Sequence, residues 1–168
     1  MEEDLESVFL NALEHSQEKI FRICVSYTKD TEEAKDLFQE VLVNIWKSLP
    51  NFKGDSSLST WIYRITINVS LRYKTNLIKN RFRFARTKSI VVERVEPQVE
   101  ESPNDQKLIL LRACVRDLNE VDKAVITLFL EELPYKEISQ ITGLRENTVA
   151  VRVKRIKEKL LNCINEKL

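Results

Sequence analysis

Apolar residues recur along most of this chain at spacings of three and four, the period of a helix that buries one face. From about Leu5 to Tyr27 the side chains Ile20, Phe21, Cys24 and Tyr27 share one side. The clearest stripe runs Ala34, Leu37, Phe38, Val41, Leu42, Ile45, Trp46 and Leu49, and Pro50 ends it. Asp30 stands before this stripe as an N-cap, with Glu33 three places on to complete a capping signal. A turn through Gly54 and Asp55 leads to a helix from about Ser57, which turns Leu58, Trp61, Ile62, Ile65 and Val69 inward and Tyr63 outward. Asn68 falls on the inward side, where an uncompensated amide costs about 1–3 kcal/mol. Either the helix breaks there or the amide finds a partner. Periodicity lapses between about Asn80 and Asn104. It resumes near Asp105 with Leu108, Leu111, Val115 and Leu118, then Val121, Val125, Leu128 and Phe129. The pattern predicts an all-α fold of two small helical domains, 1–79 and 105–168, joined by a linker over 80–104.

The most informative stretch runs from Leu133 to Val149. A short helix places Ile138 and Ile141 inward, Gly143 reverses the chain, and Leu144 plugs the corner. A second helix follows with Val149, Val153, Ile156 and Leu160 on its apolar face. Asn147, Thr148, Val151, Arg152, Lys154 and Arg155 lie on the other side. A helix that packs one face and offers donors from the other suits the DNA major groove. A hairpin with a solvated basic face would share the periodicity. Glycine at the turn together with the basic outer face favours DNA.

Charge sharpens this division. The whole chain carries 27 basic and 26 acidic residues, a net of +1, yet the signs are segregated. Arg72 to Lys88 holds seven cations and no acid, whereas Glu93 to Asp105 sets five acids against Arg94. That tether reads equally as a soluble spacer or as a segment that tracks charged surfaces. With two glycines and four prolines in 168 residues, a turn-rich β architecture is disfavoured. No apolar run of membrane-spanning length occurs and the N-terminus is acidic, so a cytoplasmic protein without direct membrane insertion is expected. Cys24, Cys114 and Cys163 are far apart, and His15 is the single histidine. They read as three reduced thiols, with no metal site and no cofactor. Absent a phosphate-cradling glycine loop, an H-E-x-x-H helix or a nucleophile elbow, the chain is not expected to be an enzyme or to take a small-molecule substrate.

The residues that narrow the function lie in the first half. Ala34-Lys35-Asp36-Leu37-Phe38-Gln39-Glu40-Val41-Leu42-Val43-Asn44-Ile45-Trp46 resembles the polymerase-binding helix of the extracytoplasmic-function (ECF) class of bacterial sigma factors. Phe52 with Ser59-Thr60-Trp61-Ile62-Tyr63-Arg64-Ile65-Thr66-Ile67-Asn68 is similar to that family's promoter-melting signature, and Leu118 to Leu160 to its domain-four pattern. The resemblance implies a sigma domain two, a sigma domain four and an initiation factor that partners core RNA polymerase and promoter DNA. It also implies an anti-sigma factor. Carried over residue by residue, it assigns polymerase binding to Asp36, Gln39, Glu40, Val43, Asn44 and Lys47. Minus-ten DNA falls to Tyr63, Arg64, Asn68, Arg72 and Lys74. The minus-thirty-five element falls to Arg145, Asn147, Thr148, Val151, Arg152, Lys154 and Arg155.

Some positions depart from the family. Ala150 and Val151 stand where lysine and serine are common, and Asn119 replaces a usual proline. Near Arg72 the customary acid is missing, and Thr75 stands where an arginine is usual. The competing reading is a helix-turn-helix regulator that is not a polymerase subunit. It would need a ligand pocket or a phosphoacceptor cluster in the first half, and neither is evident.

Overall fold

The computed structural model describes the backbone of residues 2–84 and 103–168, and the side chains of 4–73, 75 and 106–168. Most of the expected linker, residues 85–102, lies outside the described residues. The described elements are helical: α1 (Glu2–Ser26), α2 (Thr31–Ser48), a 3-10 turn (Leu49–Asn51), α3 (Leu58–Phe84), α4 (Pro103–Arg116), α5 (Glu120–Leu130), α6 (Tyr135–Thr142) and α7 (Glu146–Lys167). The α3 backbone runs on through Phe84, past the position where the linker was expected to begin.

Helices α1, α2 and α3 pack together as the first unit, and α4 to α7 as the second. Local chemistry starts these helices where the pattern put them. The Asp30 side chain accepts the Glu33 amide at 2.8 Å, and Glu33 reaches back to the Lys29 amide at 2.9 Å. Asn119 caps α5 by accepting the Asp122 amide at 2.9 Å, so the departure from proline still supplies a helix start. Gly143 closes α6 in the left-handed region at φ 79°.

The expected stripes are buried at Ala34, Leu37, Val41 and Ile45 in α2 and at Val149, Val153, Ile156 and Leu160 in α7. Trp46 is a correction: it is 45% exposed, its ring 5.1 Å from that of Phe9. The two units also meet. Helix α1 packs on α4 and α5, α3 packs on α6, and the buried side chains of both units form one continuous cluster. Helix α5 lies at the centre, every side chain from Asp122 to Leu128 buried.

The cysteine expectation is overturned for one pair. Cys114 on α4 and Cys163 on α7 form a disulfide with a Cα–Cα distance of 6.0 Å. They are 49 residues apart in sequence, and only the packing of α4 against α7 brings them together. Cys24 alone keeps a free, buried thiol, and burial pushes its pKa up to about 12, so it packs as a small hydrophobe.

Candidate functional site

Three surfaces carry the residues singled out in the sequence. On α2, Asp36, Gln39, Glu40, Val43 and Lys47 are exposed opposite the buried stripe, and Asn44 is half-buried. Asn44 donates to the Glu40 carbonyl at 2.8 Å, tying its amide to its own helix. Val43, 48% exposed, is an apolar residue among polar neighbours. Trp46 extends this face by one turn.

On α7, Arg145, Asn147, Thr148, Val151, Lys154 and Arg155 are all exposed, and Arg152 is intermediate. The helix thus has one packed side and one open side, as entry into a groove requires. Between α7 and the start of α5 lies a polar groove of about 410 Å³, lined by Asn147, Thr148, Val151 and Arg155 among others. Asp122 sits at its inner wall, 3% exposed. Its Oδ1 accepts from Arg152 Nη1 at 2.9 Å and its Oδ2 from Lys159 Nζ at 3.1 Å. Burial raises the pKa of this carboxyl, but the two donated hydrogen bonds outweigh that and hold it below the ordinary value of 3.8. Asp122 was not singled out from the sequence.

On α3 the outcome differs. Asn68 is exposed and the helix does not break there, so the amide needs no buried partner. The expected inward side was displaced: Ile62, Tyr63, Thr66, Ile67, Val69 and Ser70 are buried, while Trp61 and Ile65 are half-buried. Tyr63, expected on the outer side, is 3% exposed. Burial raises its pKa, and its hydroxyl is hydrogen-bonded with Ser16. Arg64 is engaged as well, its Nη2 donating to the Gln140 carbonyl at 2.7 Å. Arg72 is exposed, and the Lys74 side chain lies outside the described residues.

Arg64 is held at a seam between the units, which the sequence did not reveal. Ser59 and Thr60 hydroxyls each donate to Glu137 Oε1 at 3.2 Å. Arg22 on α1 forms a two-pronged pair with Glu131, Nε to Oε1 at 2.8 Å and Nη2 to Oε2 at 2.8 Å. The Glu131 partner raises the Arg22 pKa. Lys123 Nζ lies 5.3 Å from the centre of the Tyr27 ring. The partners are 78 and 77 residues apart in the Glu137 bonds and 109 apart in the Arg22–Glu131 pair, beyond any local sequence signal.

The comparisons fit this division. Residues 12–84 match the family model Sigma-70 region 2, and residues 108–160 match Sigma-70, region 4. The chain is 30% identical over 155 residues to the RNA polymerase sigma-H factor of Pseudomonas aeruginosa, covering 84% of this chain and 78% of that one. It is 30% identical over 147 residues to the ECF RNA polymerase sigma-E factor of Escherichia coli K12, covering 79% and 74%. Among solved structures it resembles the sigma factor RpoE of Bartonella quintana, crystallised with the anti-sigma factor NepR. That likeness has a TM-score of 0.67 at 19% identity and covers 96% of this chain and 97% of the other. The structure of CnrH with the cytosolic domain of CnrY is similar at a TM-score of 0.68 and 16% identity, covering 97% and 91%.

Proposed function

Because this chain belongs to the ECF class of the sigma-70 family, we propose that it binds core RNA polymerase and directs initiation at specific promoters, opening DNA at the minus-ten element and catalysing nothing itself. Its partners on this reading are the core enzyme, promoter DNA and an anti-sigma factor. The observation that carries it is the order of the two matches, region 2 before region 4, each containing a helix with an open polar face. We place the end of the first unit at Phe84, where α3 ends, and the start of the second at Pro103, where α4 begins, instead of the expected 79 and 105.

Within that frame, Asp36, Gln39, Glu40, Val43, Asn44 and Lys47 dock on the core enzyme. Acidic and amide groups around one apolar residue make a surface whose affinity comes from a few central side chains. Arg145, Asn147, Thr148, Val151, Arg152, Lys154 and Arg155 meet the minus-thirty-five duplex. There amides and hydroxyls reach base edges and phosphates, and arginine reaches guanine or phosphate. On this reading the exposed Val151 meets a thymine methyl or another protein surface. Asn68, Arg72 and Lys74 take the minus-ten strand; Arg64 joins them when it releases the Gln140 carbonyl, and Tyr63 when it leaves its buried place.

The test is reconstitution with the cognate core enzyme, which should produce discrete run-off transcripts from a panel of promoters. A double substitution, Asp36→Ala with Gln39→Ala, should weaken core binding in a competition assay by about tenfold or more while leaving the unfolding midpoint unchanged. Undiminished core binding would remove α2 from the proposed interface.

A further inference from the structure

Asp122 is a buried carboxylate set against a helix proposed to read DNA, where a negative charge is otherwise a liability. Its position is closely determined. Asn119 accepts the Asp122 amide at 2.9 Å and donates its own side-chain amide to Oδ2 at 3.1 Å, so the cap of α5 holds the carboxylate as well as the helix end. Arg152 and Lys159 stand seven residues apart on α7, about two turns, and both reach back to this one group. The Arg152 and Lys159 side chains remain 36% and 58% exposed, against 5% for Asp122, so the cations face the groove while the anion is covered. Arg152 Nε is buried with no acceptor among the described residues, and Asn147, Thr148 and Arg155 line the same groove.

Two consequences follow from electrostatics. Affinity for any duplex grows with the number of cations free to displace counterions from phosphates. A lysine and an arginine already satisfied by a buried carboxylate contribute less to that indiscriminate attraction. An arginine held by one nitrogen also presents its remaining edge in one orientation, the condition for reading a fixed acceptor rather than a diffuse field. We propose that Asp122, fixed by Asn119, is a positioning residue that restrains Arg152 and Lys159, suppressing non-specific duplex binding and aiming Arg152 at one acceptor beside the recognition helix. This inference rests on the proposed reading of α7 and adds a residue outside the DNA contacts to it.

The experiment uses holoenzyme assembled from the full chain and core polymerase. The probes are a promoter duplex selected by that holoenzyme from a random pool and an unrelated duplex of equal length. Asp122→Asn should tighten binding to the unrelated duplex about fivefold and steepen its salt dependence by about one charge. It should lower the ratio of promoter to unrelated affinity by about tenfold. Asp122→Glu should restore most of that ratio. A lost cap or a damaged fold would instead weaken both duplexes together, and that result overturns the proposal, as does an unchanged ratio. Should Asp122→Asn not fold, Arg152→Lys gives the second reading. It keeps the charge, so unrelated-duplex binding should stay within about twofold while the ratio still drops about tenfold; a retained ratio refutes the aiming role. Thr148→Ala in the same assay separates the two ideas, because promoter affinity untouched by it would mean that α7 does not read DNA at all.

Discussion

Helices α3 and α7 present similar sequence patterns, an apolar side opposed by arginine, asparagine and threonine, yet they end in different surroundings. Helix α7 packs one side on α4, α5 and α6 and leaves the other open. Helix α3 packs on α1 and α2, where Tyr63 is buried, and then receives α6 on a second side, where Arg64 is spent on the Gln140 carbonyl. The difference teaches that a polar outer face is not a free face. In this arrangement the surface proposed to read duplex is open, whereas Arg64 of the surface proposed to take the minus-ten strand is engaged by the other unit.

The comparison can be broken most severely at the packed side of α7. Ile156, 1% exposed, should cost about 2–5 kcal/mol when changed to alanine, read as a lower midpoint in urea unfolding. A loss within about 0.5 kcal/mol would mean that α7 is not anchored there. The seam is the next test. Arg22→Ala leaves the buried Glu131 carboxylate without its two-pronged partner, but half of the Arg22 side chain is exposed and solvent screens the pair. The expected loss is therefore about 1–2 kcal/mol. Faster hydrogen exchange in α3 and α6 should accompany it as the units separate. The swap Arg22→Glu with Glu131→Arg should recover part of that protection, and no recovery would show that the pair does not hold the seam. The smallest effect belongs to the open side of α7. Val151→Ala should change stability by no more than about 0.5 kcal/mol, while promoter affinity of the holoenzyme falls if the side chain meets a base methyl.

Much of the fold was legible because helices announce themselves locally. The three-four spacing of Ala34, Leu37, Val41 and Ile45 and that of Val149, Val153, Ile156 and Leu160 name the buried sides directly, since burial of one stripe is what makes such a helix stable in water. Asp30 and Gly143 mark helix ends through the chemistry of their own residues. The open faces of α2 and α7 follow from those stripes by subtraction. On α3 the subtraction failed: the buried side was displaced, with Tyr63 in and Asn68 out, and periodicity is silent about the second element, more than 70 residues away, that engages Arg64.

The sequence by itself determined most of the helices, the Asp30 cap, the Gly143 turn before α7 and the family to which these patterns belong, features read from neighbours within about two turns. Only the tertiary structure decided that Tyr63 is buried, that Cys114 meets Cys163, that Arg22 pairs with Glu131, and that Asp122 restrains Arg152 and Lys159. Each of these joins residues at least 30 positions apart or depends on such a junction. A contact of that kind is set by how whole helices pack, and no local propensity encodes it.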